Sequence, residues 1–122
     1  MLINLSNHPS DKWNQAQLSA ALQQFGGVVD IPFPEVAPEG DEVYVDSLAI
    51  EYCNRIKRII NDDSGAVHVM GEMTLTASIV QYLTKEGIPC YASTTERCSM
   101  SQPDGKTVSV FRFVRFRRYQ LN

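Results

Sequence analysis

Three short segments of the chain carry polar residues that can bind an anion, and each follows a run of apolar residues. The segments are residues 6–8, residues 71–76 and residues 93–97. Hydroxyl, amide and guanidinium groups donate the hydrogen bonds that hold phosphate oxygens. The candidate ligand-binding residues are Ser6, Asn7, Gly71, Glu72, Thr74, Thr76, Thr94 and Thr95. We therefore expect a site for a small anionic ligand where these segments meet.

The middle segment suits an anion because Gly71 opens a predicted helix with Thr74 and Thr76 in its first turn. Free backbone N–H groups and the positive end of the helix dipole attract an anion, and a glycine allows close approach. The alternative is a tight strand-to-helix turn in which Glu72 and Thr74 cap the helix amides. The Glu72 carboxylate also competes with an anionic ligand for the same dipole.

Two residues have side chains suited to catalysis. Arg97 follows three consecutive hydroxyl residues, and its guanidinium can hold a phosphate with two hydrogen bonds. It can equally form a surface ion pair with Glu96 or Glu72. His8 has a side chain that ionises near neutral pH, so it can move a proton, contact the ligand or bond to the backbone.

Other chemistries lack their motifs in this sequence. There is no G-x-G-x-x-G, no G-x-x-x-x-G-K-[ST], no H-E-x-x-H and no paired C-x-x-C. We therefore expect neither a metal ion nor a cofactor. A thiol nucleophile built from Cys90 or Cys98 with His68 is disfavoured, because His68 falls inside a predicted strand and Cys90 suits the core.

The elements that must position these residues alternate between strands and helices. The predicted strands are residues 1–5, 28–33, 66–70, 88–92 and 108–119. The predicted helices run from a cap at Ser10 or Asp11 to Phe25, over residues 46–61 before a stop at 62–65, and from residues 71–74 to a cap at Gly87. Residues 93–106 are predicted to be a loop or the wide end of a hairpin.

This alternation predicts an α/β fold over residues 1–122, a single compact Rossmann-like domain with three layers. Its mostly parallel sheet has about five strands and three helices, and the last strand is antiparallel because a loop, not a helix, precedes it. In such a sheet ligands bind beyond the carboxyl ends of the strands. The segments after the first, third and fourth strands would therefore share one edge.

Composition narrows the class of protein. The formal charge of −3 disfavours binding to long nucleic acids in general. Three cysteines with no metal-binding spacing indicate a reducing, cytoplasmic setting, and no apolar run is long enough to span a membrane. The last part of the chain is different, since residues 111–119 interleave arginines with aromatic residues. That pattern fits either a core strand or a surface for nucleic acid.

Four stretches of the sequence together resemble a known family. They are NLSNHP at residues 4–9, VHVMGEMT at 67–74, ASTTER at 92–97 and FRFVRFRRY at 111–119. In these stretches and in the order of its elements, the chain resembles small stand-alone Rossmann-like proteins of CRISPR and related antiphage systems, which are similar to CARF domains and ring nucleases.

The resemblance implies a homodimer in antiviral defence that binds a cyclic oligoadenylate second messenger at the strand ends. All three polar segments would hold ribose phosphates. In metal-independent cleavage of the ring, Arg97 would stabilise charge on the phosphoryl oxygens and His8 would move a proton. Stoichiometric sequestration of the messenger fits the same residues equally well.

Two alternatives from other classes remain open. In one, the basic aromatic strand at residues 108–119 binds nucleic acid or an acidic protein, with Arg117 and Arg118 free for the partner. In the other, the protein is a small nucleoside-processing enzyme. That alternative requires a carboxylate such as Glu72 deep in the pocket, within reach of a ribose carbon.

Overall fold

Five strands form one sheet in the part of the chain that the computed structural model describes, residues 1–60 and 64–121. The strands are β1 (Leu2–Ser6), β2 (Val28–Pro32), β3 (Ala66–Met70), β4 (Cys90–Ser101) and β5 (Thr107–Arg118). Their order is β2-β1-β3-β4-β5, and every neighbouring pair is parallel except β4 with β5. The predicted α/β Rossmann-like fold with an antiparallel last strand is confirmed.

Helices cover both faces of the sheet. They are α1 (Gln15–Phe25), α2 (Glu42–Ile59) and α3 (Met73–Lys85). Two separate apolar clusters show the layering: one unites buried residues of α2 and α3 with the sheet, and the other joins α1 residues to Trp13, Leu2 and Phe116. The sheet is therefore the middle of three layers, with α1 on one side and α2 and α3 on the other.

The start of α1 differs from the sequence prediction. Ser10 and Asp11 lie in a short 3₁₀ turn, Ser10–Lys12, and α1 is capped instead by Asn14, whose side chain accepts a hydrogen bond of 2.9 Å from the Gln17 amide. Ser10 is not free to cap the helix, because its amide and hydroxyl both donate to Asp30. The predicted stop is confirmed, since Gly26 ends α1 at a φ of +84°.

The second helix begins earlier than predicted. Asp41 caps it by accepting a hydrogen bond of 3.0 Å from the Tyr44 amide, so α2 starts at Glu42 rather than near residue 46. The periodicity of apolar residues does not reveal the first turn, because Val43 in that turn is 72% exposed and does not face the core. The predicted stop at residues 62–65 lies partly outside the described residues. Gly87, at a φ of +80°, follows the end of α3 as predicted.

The fourth strand is far longer than its predicted end at residue 92. Only Cys90 and Tyr91 pair with β3, while β4 continues to Ser101 by pairing with β5. Of the two alternatives predicted for residues 93–106, the loop is therefore wrong for residues 93–101, and a hairpin is the arrangement seen, with its turn at residues 102–106. Beyond Tyr91 the two strands pair only with each other and form a ribbon, residues 92–117, which we call the hairpin arm. Both faces of most of the arm are exposed, so its sequence lacks the alternation that marks a half-buried strand.

Candidate functional site

A cleft of about 570 Å³ lies at the carboxyl ends of β1 and β3, on the α1 side of the sheet, and the hairpin arm forms its far wall. The predicted residues that line this cleft are Ser6, Asn7, His8, Gly71 and Thr95. Residues from all three predicted segments therefore meet at one edge of the sheet. The size is within the range of small-molecule sites.

The register of the arm explains which of its residues face the cleft. Alternate residues of a strand point to opposite faces, and a bulge at Thr94/Thr95 leaves Val114 without a partner. Thr95, paired with Phe113, lines the cleft together with Ser93 and Phe111. The aromatic wall is accessible, since Phe111 is 64% exposed.

Glu72 and Thr74 do not line this cleft, because they cap α3. The Glu72 carboxylate accepts hydrogen bonds from the amides of Thr74 and Leu75 and from the Thr74 hydroxyl. The Thr74 hydroxyl and these two amides lower the pKa of Glu72. The capping alternative is thus the arrangement seen, and the anion position at this helix start is filled by the chain's own carboxylate. A nucleoside-processing enzyme loses its candidate carboxylate in the pocket.

Three other predicted residues also lie outside the cleft. Thr94 points to the opposite face of β4, where its hydroxyl donates to the Arg115 carbonyl at 3.2 Å. Thr76 lines a second groove beside α3. Arg97 is on the cleft side, opposite Phe111, but its guanidinium donates to the Ser109 hydroxyl at 3.0 and 3.2 Å, farther along the arm.

A hydrogen-bond network holds the cleft floor. The Asn4 amide group donates to Asp30 Oδ1 at 2.8 Å and to the His8 carbonyl at 3.0 Å. The Ser6 hydroxyl lies 2.8 Å from Asn4 Oδ1 and 3.1 Å from the same carbonyl. Burial alone would raise the pKa of Asp30, but hydrogen bonds from Asn4 and Ser10 outweigh it and lower that pKa. The network therefore fixes the β1–α1 connection, which carries His8, to the sheet.

His68 is the titratable side chain most altered by its surroundings at this site. Its ring lines the cleft, is 2% exposed, and has its Nδ1 2.8 Å from Asn4 Oδ1. Burial lowers its pKa from 6.5 to about 4, so the ring is neutral at physiological pH. Its Nε2 is buried and has no hydrogen-bond partner. A buried polar atom without a hydrogen-bond partner is uncommon in folded proteins, and it can mark a functional site.

Aromatic residues enclose the ring of His68. Trp13 meets it edge to face with ring centroids 5.5 Å apart, and Phe116 does so at 5.6 Å. The Trp13 indole N–H donates to the His8 carbonyl at 3.0 Å. Trp13 therefore links the network at the cleft floor to the apolar cluster under α1.

The electrostatics of the cleft favour an anion. Lys12 lines it, and no carboxylate does within the described part of the chain. Local positive charge is thus available although the whole chain carries −3. Asn7, Asn14 and Gln17 add amide groups to the wall.

A second, larger groove of about 870 Å³ lies on the other side of the sheet, between α3 and the residues after β5. Its wall is mainly apolar, with Met73, Val80 and Leu121, and Tyr119 is held there by donating to the Val69 carbonyl at 2.8 Å. This groove contains Thr76 but shares only Met70 and Gly71 with the cleft.

The described residues provide neither a cluster of metal ligands nor a cysteine paired with a histidine for thiol chemistry. Within residues 1–60 and 64–121, no three His, Cys, Asp or Glu side chains come together as a metal site. Cys90 belongs to the core cluster under α2 and α3, whereas His68 packs on Trp13 and Phe116 on the α1 side. In the same residues no helix is long and apolar enough to span a membrane.

Sequence reasoning missed Asn4, His68, Lys12 and the two arm phenylalanines that line the cleft. A signal existed for the first two, because each is a polar residue inside a run of apolar residues in a central strand. Buried polar residues are paired or functional, so this exception to the apolar run could have identified them. Phe111 and Phe113 fall in the strand predicted at residues 108–119, but no signal in the sequence turns them toward the cleft, because the bulge at Thr94/Thr95 lies where a loop or hairpin end was predicted.

The family model that matches this chain is described as "Uncharacterized protein MJ1673 family", and it covers residues 1–117. The chain therefore belongs to that family, and the match spans the cleft, the whole hairpin arm and all but the last residue of the sheet. No curated protein and no solved structure gives a significant match.

Proposed function

We propose that this member of the MJ1673 family binds a cyclic oligonucleotide second messenger of the cyclic oligoadenylate type in the cleft. The observation that carries the proposal is the meeting of Ser6, Asn7, His8 and Gly71 with Thr95 in one cleft. These residues supply hydroxyl, amide and imidazole groups for ribose and phosphate. The resemblance to CARF-like proteins supplies the ligand class.

The wall of the cleft supports a nucleotide over a simple phosphate. Phe111 and Phe113 offer aromatic faces on which bases can stack, and Phe111 is largely exposed. Lys12 supplies a positive charge for a phosphate. A ligand with both an aromatic base and an anionic group can contact the two phenylalanines and Lys12 at the same time.

The proposal includes a homodimer, because the ligand is larger than the cleft of one chain. One cleft of about 570 Å³ is smaller than a ring of several nucleotides requires. Two clefts related by a two-fold axis would share such a ring, with identical contacts in both subunits.

Sequestration is the mode that the geometry favours, with slow metal-independent cleavage as the second activity. In cleavage a ribose 2′-hydroxyl would give its proton to His8 and attack the adjacent phosphorus. The bond from phosphorus to the 5′-oxygen would break, and that oxygen would take up a proton. Arg97 donates to Ser109 instead of lining the cleft, so charge stabilisation by Arg97 would require its side chain to turn.

Calorimetry with cyclic tetra-adenylate and cyclic hexa-adenylate tests the proposal, with chromatography of the mixture to detect linear products. We expect one ring per two chains and at least a tenfold loss of affinity in Lys12→Glu. Lys106→Glu, at the tip of the arm, is the matched control and should bind as the unaltered protein does. Absence of binding to both rings would refute the proposal.

A second candidate rests on the other face of the arm. Arg112, Arg115 and Arg117 share the face opposite the cleft, are exposed, and form no ion pair within the described residues. This surface suits an acidic protein or a nucleic acid. Arg118 pairs with Tyr91 and points to the α1 side, so Arg112→Glu with Arg115→Glu tests this surface without altering the cleft.

A further inference from the structure

The unpartnered nitrogen of His68 can be assigned a definite hydrogen-bonding role. The Asn4 side chain decides it, because its amide group faces two acceptors, Asp30 Oδ1 and the His8 carbonyl. Asn4 Oδ1 is then the atom 2.8 Å from His68 Nδ1. Two acceptors cannot bond to each other, so Nδ1 carries the proton and donates it to Asn4.

Since the neutral ring has only one N–H, Nε2 is left with a free lone pair. It can accept a hydrogen bond and cannot donate one. A buried acceptor without a partner destabilises the protein unless a ligand or water supplies the missing donor. The chain Asp30–Asn4–His68 holds the ring in this state before any ligand arrives.

We propose that His68 Nε2 is the specificity-determining acceptor of the cleft, and that it binds an uncharged N–H or O–H donor of the ligand's nucleoside. The inference rests on the proposed function for the ligand class. An adenine 6-amino group and a ribose 2′-hydroxyl both provide this chemistry. A group that is only an acceptor would face the lone pair of Nε2 and be rejected.

The cleft must open slightly for this contact. Nε2 has less than 1 Å² of accessible area, so a donor reaches it only when a neighbouring side chain moves. Phe113 lines the cleft, is half-buried, and packs against Phe116 with ring centroids 5.0 Å apart. It stands on the arm, whose strands pair only with each other at that point, so it is the side chain placed to give way.

Nitrogen NMR of the unaltered protein tests the assignment directly, because the imidazole ¹⁵N shifts distinguish a protonated nitrogen from a free lone pair. His68 should show a proton on Nδ1 and none on Nε2 at pH 7 without ligand. Adenosine 5′-monophosphate or cyclic tetra-adenylate should then shift the Nε2 resonance of His68 toward that of a hydrogen-bonded acceptor. The resonances of His8, the other histidine of the chain, are assigned separately, because His8 also lines the cleft and the ligand can shift them too.

Two analogues identify the donor. Purine riboside 5′-monophosphate lacks the 6-amino group, and 2′-deoxyadenosine 5′-monophosphate lacks the 2′-hydroxyl. We expect one of them, and only one, to bind at least tenfold more weakly than adenosine 5′-monophosphate and to lose the His68 shift. His68→Phe should lower the affinity for adenosine 5′-monophosphate by a similar factor. This variant should then bind adenosine 5′-monophosphate and the weakened analogue equally well. Lys106→Glu, at the tip of the arm and outside the cleft lining, should keep both the affinity and the discrimination.

The outcomes separate this inference from the proposed function. Binding of cyclic tetra-adenylate without a His68 shift, or equal affinity for all three mononucleotides, overturns the inference and leaves the function. A His68 shift with adenosine 5′-monophosphate but no binding of either cyclic ring supports the inference and overturns the function. If no adenine nucleotide binds, both are wrong. A proton found on Nε2 also overturns the inference, whatever binds.

Discussion

Single residues at the cleft illustrate how a buried strand can carry chemistry. Asn4 and His68 lie side by side on the paired strands β1 and β3, where apolar residues would pack equally well. Their hydrogen bond and the aromatic rings around His68 compensate for part of the burial, and Nε2 remains without a partner. Sequence reasoning located the neighbouring Ser6, Asn7 and His8 because they follow the strand, where the loop rule applies. It passed over the polar residues within the strands.

The depressed pKa of His68 predicts how stability depends on pH. In the unfolded chain the pKa is 6.5, while in the folded protein burial lowers it to about 4. Between these values the unfolded chain binds a proton that the folded protein does not. The free energy of unfolding should therefore fall as the pH drops from 6.5 toward 4, by at most about 1.4 kcal/mol per pH unit.

Urea denaturation at pH 7.0, 6.0 and 5.0 measures this effect. The pKa values of Asp30 and Glu72 are lowered below 3.8 and 4.5, so their contributions are lost at more acidic pH than this range. His68→Phe should flatten the profile over the same range, whereas His8→Gln should leave the slope attributed to His68. A slope unchanged by His68→Phe would show that another group carries the pH dependence.

The need for a glycine at position 71 comes from packing against Phe33 as well as from its place in the cleft. A Cβ atom at this position would lie 2.6 Å from the ring of Phe33, a core residue that is 8% exposed. Gly71→Ala should therefore lower the free energy of unfolding by about 1–3 kcal/mol, as overpacking does in other cores. Chemical denaturation of Gly71→Ala and of Gly71→Ala with Phe33→Leu checks the cause. A double variant no more stable than Gly71→Ala would contradict it.

At the scale of elements, the sequence predicted what local physics determines. The left-handed glycines at 26 and 87 end helices where expected, and the apolar runs give β1, β2 and β3 within a residue. The second strand of the arm was predicted, but residues 93–101 of the first strand were not, because their stability comes from cross-strand pairing and not from a buried face. The cap of α1 was predicted at Ser10 or Asp11, because both are residue types that cap helices as well as Asn14 does. The tertiary contact of Ser10 with Asp30 cannot be seen in the sequence.

The true cap of α1 gives a prediction at this scale. Asn14→Ala removes the acceptor for the Gln17 amide and should lower the free energy of unfolding by about 1 kcal/mol. Asp11→Ala is the matched control, since Asp11 was the other candidate cap but lies in the exposed 3₁₀ turn. Thermal and urea denaturation of both variants should show a loss for Asn14→Ala alone. Equal losses would mean that the preceding turn and α1 form one capped unit.

Over the whole molecule, the sheet separates two surfaces that the sequence could not tell apart. The cleft with Lys12 and His68 lies on the α1 side, while Arg112, Arg115 and Arg117 lie on the opposite face of the arm. The alternation of a strand divides residues 111–119 between the two faces, so both sequence interpretations of this stretch apply to different residues. The net charge of the chain predicts the electrostatic potential of neither surface, because a few local side chains determine that potential.

The three cysteines report on opening of the whole fold. Burial raises the pKa of Cys53 to about 11 and that of Cys90 to about 12, and both side chains are within the core. Cys98 is partly exposed on the arm. Iodoacetamide at pH 8 should therefore label Cys98 in the native protein, while Cys53 and Cys90 react only through unfolding, slower by a factor on the order of 10³ or more. Mass spectrometry of timed samples measures this, with urea-unfolded protein as the control. Rapid native labelling of Cys90 would mean that β4 leaves the sheet together with the arm, without global unfolding.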